Sequence, residues 1–177
     1  MSLDRDANLV GALAQVIADQ AADAMAEAGG GSLSSAAALS ALLHFLDAPS
    51  VDMLRQVLGL SPSGTVRLLD RLEETGYVQR GPGDDGRSVS VTLTPAGRAA
   101  AQQVTGARAA VLERALAVLS PPDRQAFEQL AGQVLVGMMR GPGAVRWICR
   151  LCDTGACRGA AGGCPVGNTA RERYLAG

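Results

Sequence analysis

The sequence of 177 residues contains no lysine, few aromatic residues, one histidine and no cysteine before residue 149. It also has no apolar run close to the roughly 18 residues that a membrane-spanning helix needs. Its first residues, MSLDRDANLV, are acidic, whereas a signal peptide begins with basic residues. We therefore expect a cytoplasmic protein that does not associate with a membrane.

The scarcity of histidine limits the chemistry that the chain can support. No Ser-His-Asp set, phosphate-binding loop or pair of catalytic carboxylates can be assembled, and we expect no enzymatic activity. The single histidine, His44, lies in a leucine-rich segment. There we expect it to be packed or hydrogen-bonded, or to line an effector pocket, and not to ligate a metal.

The net charge is only −1, but the charge is unevenly distributed. Residues 1–54 carry one arginine and seven acidic residues, residues 55–98 carry six arginines and five acidic residues, and residues 99–177 carry nine and five. Attraction to phosphate would therefore depend on a few arginines, doubled by dimerisation. Affinity for a nucleic acid should then fall as the salt concentration rises.

The segment from Leu60 to Arg98 begins with a predicted helix. Ser61 can cap its start, Pro62 suits a first position, and Gly76 suits its C-terminal end. Apolar residues at three-residue spacing predict its inward face: Val66, Leu69 and Leu72. Polar residues four apart predict an exposed face: Ser63, Arg67 and Arg71.

A two-stranded hairpin is predicted to follow this helix. An extended segment begins at Tyr77, and Val89, Val91 and Leu93 alternate with polar residues in a second strand. The turn between them, residues 81–87, is rich in glycine and ends in Arg87. The hairpin therefore has a charged tip.

The residues before the hairpin predict two further helices. A leucine-rich stripe runs from Leu39 to Leu46, and Ser50 can cap a short helix from Val51 to Leu58 that Gly59 ends. Three helices and a hairpin in this order form a helix-turn-helix with a wing.

A winged helix-turn-helix suggests a role for each polar residue of the third helix, because a helix fits the major groove of B-DNA. Arg67 could bind a guanine, Arg71 a phosphate, and Arg87 the minor groove or its phosphates. Phosphates or base edges would be contacted from the helix start by Ser61, Ser63 and Thr65. Alternatively, the two helix arginines pair with neighbouring acidic residues: Asp70, Glu73 and Glu74.

From about Leu39 to Arg98 the sequence resembles the MarR family of bacterial winged-helix regulators. The resemblance lies in the run LGLSPSGTVRLLDRLEETGYVQR, in Asp85 and Arg87 at the position of the family's wing motif, and in LTPAGR. It implies a homodimer that binds a pseudo-palindromic operator in double-stranded DNA, usually as a repressor. A small-molecule effector or oxidation would relieve the repression. The chain departs from the pattern at Gly64, inside the recognition helix, and in a glycine-rich wing with one arginine.

The resemblance and the helical pattern together predict four segments. These are an N-terminal dimerisation helix and linker (1–32), a winged helix-turn-helix DNA-binding domain (33–98), C-terminal dimerisation helices (99–140) and a cysteine-rich tail (141–177). The predicted fold class is mainly α with a small β-hairpin wing, that is, α+β. Apolar stripes for pairing are Leu9, Leu13, Val16 and Ala24, and then Phe127, Leu130, Val134 and Met138. Packing within one monomer is the alternative use of these stripes.

All four cysteines lie in the tail and form the pattern C-x2-C-x4-C-x6-C: Cys149, Cys152, Cys157 and Cys164. Four thiolates suit a tetrahedral Zn²⁺ site or an iron–sulfur cluster, and either would be a metal site. A reversible disulfide is the third interpretation; zinc is slightly favoured among the three. Arginines beside the ligands would offset their negative charge: Arg146, Arg150 and Arg158. Trp147 and Ile148 are predicted to pin the tail onto a helix.

These observations predict a dimeric transcriptional regulator that responds to a redox, metal or small-molecule signal. The alternative is an iron–sulfur or thiol redox protein whose winged fold makes contacts with other proteins and does not touch DNA.

Overall fold

The computed structural model describes residues 4–29, 31–83, 88–141, 143–159 and 163–174. Four helices precede the hairpin: α1 (Arg5–Ala28), α2 (Leu33–His44), α3 (Val51–Leu58) and α4 (Pro62–Glu74). The hairpin consists of β1 (Val78–Pro82) and β2 (Val89–Leu93). Five helices follow it: α5 (Pro95–Leu116), α6 (Pro121–Gly137), α7 (Ala144–Ile148), α8 (Thr154–Gly159) and α9 (Pro165–Tyr174). The predicted fold class, mainly α with a small hairpin wing, is confirmed. Within the described residues no helix is long and apolar enough to cross a membrane.

Hydroxyl side chains begin five of these helices, as the sequence predicts for two of them. Each accepts a hydrogen bond from the backbone amide three residues later: Ser32, Ser50, Ser61, Thr94 and Ser120. Such a cap contributes about 1 kcal/mol to helix stability. Gly59 ends α3 with a φ of 66°, a left-handed conformation that glycine adopts without strain.

The hairpin is antiparallel, with Val78 opposite Leu93 and Pro82 opposite Val89. The chain just before α3 extends this small sheet, because the Val91 amide donates to the Pro49 carbonyl at 3.0 Å. Ser50 forms an isolated bridge with Ser90 in the same place. The wing is therefore attached directly to the start of the helix-turn-helix.

The main core lies between helices α1 to α5 and the hairpin. Its fully buried side chains include Met25, Leu39, Leu54, Leu68, Leu69, Val78, Val91 and Val104. The predicted inward face of α4 is corrected in one position, because Val66 is 50% exposed and Leu68 takes its place in the core. Residues spaced three apart move gradually around a helix of 3.6 residues per turn, so a three-residue spacing does not show whether Val66 or Leu68 faces the core.

The LTPAGR segment joins the wing to α5 through a close backbone approach. The Thr94 hydroxyl donates to the carbonyl of Gly76 at 2.6 Å and also caps α5. A Cβ on Gly97 would lie 1.8 Å from the Tyr77 carbonyl oxygen. Only glycine therefore allows α5 to start against the end of α4.

The cysteine-rich tail folds back onto the winged helix-turn-helix. It has a small core of its own, formed by Met139, Ala144, Cys149, Val166 and Ala170. Phe45, next to α2, packs against this small core, and Leu151 packs against the main core. Ile148 packs as predicted, whereas Trp147 is 45% exposed.

Candidate nucleic-acid interface and cysteine cluster

The start of α4 presents serine hydroxyls to solvent. Ser61 and Ser63 are both exposed, and the Ser61 hydroxyl accepts the Gly64 amide at 3.1 Å. Thr65 is fully buried, and its hydroxyl donates to the Ser61 carbonyl at 3.0 Å. The prediction that Thr65 contacts DNA is therefore corrected, because its only polar side-chain group bonds within its own helix.

Arg67 and Arg71 are exposed on α4. Arg67 donates to the Ser63 carbonyl at 3.3 Å, and neither arginine forms an ion pair with a carboxylate in the described part of the chain. The alternative interpretation, in which both arginines pair with neighbouring acidic residues of the same helix, therefore does not describe the structure. We call the exposed face made by Ser63, Arg67 and Arg71 the reading surface.

Arg80, from strand β1, takes the carboxylates that were the expected partners. Its guanidinium donates to Asp70 Oδ1 at 2.7 Å and to Glu73 Oε2 at 3.0 Å. The Arg80 amide also donates to Glu73 Oε1 at 3.2 Å. These bonds hold the wing against α4 and leave the arginines of the reading surface available for phosphate or base edges.

Two predicted DNA-binding residues, Asp85 and Arg87, lie outside the described residues. The hairpin is described up to Gly83, whose amide donates to the Ser88 carbonyl at 2.8 Å. The base of the wing is thus placed beside α4, on the side of Arg80.

The four cysteines are free thiols that lie close to one another. Cys149 is part of the small core of the tail, Cys152 and Cys164 pack against it, and Cys157 lies near Cys164. The Cys164 sulfur also accepts the Gly167 amide at 3.4 Å, at the first turn of α9. Within the described residues no three His, Cys, Asp or Glu side chains are arranged to hold a metal, so the four-cysteine metal site stays a prediction.

The two cysteines of the C-x2-C pair differ in acidity. Hydrogen bonding to Cys152, and then burial, raises the pKa of Cys149 far above its ordinary value. The pKa of Cys152 is lowered to about 6, mainly by its interaction with Cys149 and also by the charges of Arg108 and Arg150, although burial opposes this shift. Burial raises the pKa of Cys157. Cys152 is thus the thiol of this pair that ionises first.

His44 connects the cysteine segment to two helices of the fold. Its Nε2 lies 3.0 Å from the Thr105 hydroxyl of α5, and its Nδ1 lies 3.6 Å from Asp153 Oδ1. The Thr154 hydroxyl donates to the His44 carbonyl at 2.6 Å. Because the Thr105 hydroxyl already donates to Ala101, we assign Nε2 as the donor to Thr105. The prediction that His44 is packed and hydrogen-bonded agrees with these contacts.

Sequence reasoning missed Arg80, Thr105 and Arg108, because each acts on a residue far away in the chain. The sequence held a partial signal for the role of Arg80, because α4 carries three acidic residues and only two arginines that could pair with them.

Large apolar side chains remain exposed on the terminal helices. On α1 they are Leu9, Val10, Leu13 and Val16, and on α6 they are Phe127, Leu130, Val134 and Leu135. None of the residues of α6 is buried. An apolar face of this size on a monomer marks a contact with another molecule.

The recognition helix, the hairpin attached to it and the helix-turn-helix before it define a winged helix-turn-helix protein. Residues 31–88 match the model of the MarR family. The chain is 34% identical over 77 residues to the uncharacterized HTH-type transcriptional regulator YwhA of Bacillus subtilis. The aligned residues cover 43% of this chain and 55% of YwhA. The chain therefore spans about half the length of that curated relative.

Solved structures agree with the family match. A MarR-family transcriptional regulator from Silicibacter pomeroyi is 29% identical, with 73% of this chain and 89% of that chain covered and a TM-score of 0.55. Rv2887 of Mycobacterium tuberculosis, a MarR-family protein solved in complex with DNA, is 21% identical, with 75% and 98% covered and a TM-score of 0.58. Rv2887 has also been solved with p-aminosalicylic acid. The chain has the fold of the MarR winged-helix regulators, and the cysteine-rich tail lies outside the matched segment.

Proposed function

We propose that this protein is a homodimeric, DNA-binding transcriptional regulator of the MarR type that represses its targets from a pseudo-palindromic operator. The observation that carries the proposal is the reading surface, where Arg67 and Arg71 are exposed and free of ion pairs with the described carboxylates. Arginines left unpaired on the third helix of a helix-turn-helix are placed to enter a major groove.

The roles follow from the positions of the side chains. Arg67 lies one turn beyond the helix start and reads a guanine, whereas Arg71, a turn further on, binds a phosphate. Ser61 and Ser63, at the positive end of the helix, bind phosphate as well. The wing lies over the flanking minor groove.

Dimerisation is supported by the exposed apolar faces of α1 and α6. Pairing of these faces across a two-fold axis would bury side chains that water otherwise surrounds, at about 25 cal/mol per Å² of apolar surface. It would also set two recognition helices about 34 Å apart, one turn of B-DNA, which is why a pseudo-palindromic operator is expected.

A mobility-shift titration on the DNA upstream of the gene tests the proposal. Arg67→Ala should weaken binding about 30-fold or more, since a bidentate guanine contact is worth about 1–3 kcal/mol and a dimer makes two. The matched control is Arg114→Ala, which removes the same charge from an exposed site near the far end of α5. Equal losses for both variants would mean that only net charge matters, and no shift for the wild type would contradict the proposal.

Repression itself is tested separately with a reporter gene behind the same upstream DNA. Expression should be low with the wild type and should rise with Arg67→Ala. The alternative function, a redox protein that uses its winged fold to contact another protein, is favoured if the wild type neither shifts DNA nor lowers expression.

A small-molecule effector has a candidate site in a cleft of about 300 Å³ between the start of α2 and the end of α4. Arg71 and Tyr77 line it together with Ser32 and Ser35. We propose that a small anion, such as the p-aminosalicylate that Rv2887 was solved with, pairs with Arg71 here and competes with DNA phosphate. Addition of p-aminosalicylate should then weaken operator binding by the wild type and leave the residual binding of Arg71→Ala unchanged. Equal weakening of both would contradict this site.

A further inference from the structure

The four cysteines of the tail are a group of chemically active side chains that DNA binding does not use. Cys149 belongs to the small core of the tail, Cys152 and Cys164 pack against that core, and Cys157 lies near Cys164. This arrangement brings together sulfurs from three places in the tail: the end of α7, the helix α8 and the start of α9. A disulfide pair would require only two of them.

The surroundings of the thiols suit negative charge. Arg108 of α5 and Arg150 act on Cys152 through their positive charges. Cys164 accepts the Gly167 amide at the N-terminal turn of α9, where partial positive charge accumulates. Four thiolates around a divalent cation carry a net charge of −2, which these groups would offset.

The C-x2-C pair favours a single metal ion, because one short turn of backbone can place both of its sulfurs on the same ion. Cys157 and Cys164 would then complete the tetrahedron of four thiolates that Zn²⁺ prefers, with zinc–sulfur bonds of about 2.3 Å. As they stand, no three described His, Cys, Asp or Glu side chains are arranged to hold a metal. Binding would thus require the thiols to lose their protons and turn from one another toward a common centre.

The loop between Cys152 and Cys157 also carries the contacts to the rest of the fold. Asp153 lies against the imidazole of His44, and Thr154 donates to the His44 carbonyl at the end of α2. His44 in turn contacts Thr105 in α5. A change at the cysteines therefore reaches both a helix of the winged domain and the helix that connects it to the dimer interface.

We propose that Cys149, Cys152, Cys157 and Cys164 bind one Zn²⁺ ion as a tetrahedral thiolate site, and that His44 transmits its occupancy to the DNA-binding domain. The first half of this proposal, zinc binding, concerns the metal site alone. The second half, transmission through His44, rests on the proposed function, because it requires an affinity for DNA that zinc can change.

The first half is tested by metal analysis and Co²⁺ substitution of the full-length protein. Anaerobically purified wild type should be colourless and contain one zinc per chain. Metal-stripped protein titrated with Co²⁺ should develop thiolate charge-transfer and tetrahedral d–d absorption that saturates at one equivalent. Brown protein with iron and acid-labile sulfide would overturn the zinc assignment in favour of a cluster, and four freely titrating thiols with no bound metal would overturn both in favour of thiol redox chemistry.

Two variants separate ligation from folding of the tail. Cys157→Ser should reduce the affinity for Co²⁺ and change its spectrum, since one sulfur is replaced by oxygen, while Thr105→Val should leave the spectrum and stoichiometry unchanged. An unchanged spectrum in Cys157→Ser would remove that residue from the site.

The second half is tested by measuring operator affinity with and without zinc. For the wild type the two affinities should differ by 5-fold or more, the range typical of coupling between sites. In Thr105→Val, which still binds the metal but loses the hydroxyl that His44 contacts, the ratio should approach 1. Equal affinities in the wild type would overturn the coupling and leave the zinc site standing, whereas absence of operator binding in both states would overturn the proposed function and the coupling together.

Discussion

Removal of the Arg80 side chain should destabilise the fold while leaving the arginines of the reading surface in place. Arg80 donates to Asp70 at 2.7 Å and to Glu73 at 3.0 Å. An exposed ion pair contributes about 0.2–1 kcal/mol, and a sheltered hydrogen bond to a charged group about 1.5–3 kcal/mol. The Arg80 side chain is 28% exposed and its partners are 46% and 42% exposed, so each bond should be worth about 1 kcal/mol.

Arg80→Ala should therefore lower the free energy of unfolding by about 2 kcal/mol. In urea, with a slope of about 2 kcal/mol per molar, the midpoint of unfolding should fall by about 1 M. The measurement is a urea titration followed by far-UV circular dichroism, with all variants at one protein concentration because the proposed dimerisation would contribute to stability. Arg67→Ala is the matched control, since Arg67 bonds only to a carbonyl of its own helix.

A double-mutant cycle decides whether the ion pair itself is responsible. Arg80→Ala and Asp70→Ala should together cost less than the sum of the single changes, by about 0.5–1.5 kcal/mol. If Arg80→Ala and Arg67→Ala shift the midpoint equally, or if the two changes of the cycle are additive, Arg80 does not hold the wing against α4 in the way described.

Three further changes have outcomes that the structure predicts. Gly97→Ala should destabilise the protein by about 3 kcal/mol or more, because the new Cβ would meet the Tyr77 carbonyl at 1.8 Å, whereas Gly106→Ala, with open space, should stabilise α5 by up to about 1 kcal/mol; thermal unfolding that moves both variants in one direction would contradict this. In metal-free protein, Cys152, with a pKa of about 6, should be alkylated first by iodoacetamide. Its rate should level off above pH 7 and fall about tenfold per unit below pH 6, because only the thiolate reacts; mass spectrometry that finds another cysteine modified first would refute the assignment. Leu130→Asp should convert dimer to monomer in sedimentation velocity, since it puts a charge in an exposed apolar face, and an unchanged dimer would place the interface elsewhere.

Local chemistry made most of the fold predictable. Ser50 and Ser61 begin helices because a hydroxyl can accept an otherwise unpaired amide, and Gly59 ends one because a left-handed residue is needed there. Each of these signals depends on residues within about four positions of one another, so the sequence alone is enough to predict the helix ends. The alternation of β2 is equally local.

The remaining features depend on contacts that the sequence does not display. Arg80 finds its partners 7 and 10 residues away, at a register of strand against helix that only the folded chain defines. Thr65 turns inward because its own helix satisfies its hydroxyl. The tail forms a core because chain reversals bring Val166 and Ala170 back onto Ala144. The spacing of four residues places Val166 and Ala170 on one face of α9, but the sequence does not show which segment this face packs against.

The close contact between Gly97 and Tyr77 means that a tilt of α5 would be transmitted to the recognition helix. The 22 residues of α5 span about 33 Å, and its first turn is pressed against the backbone that ends the recognition helix, with no side chain between them to yield. A tilt of about 5° at the far end of such a rod would displace its near end by about 3 Å, close to the 3.4 Å rise between base pairs. A small change of angle between two subunits would therefore move each reading surface out of step with the groove by about one base pair.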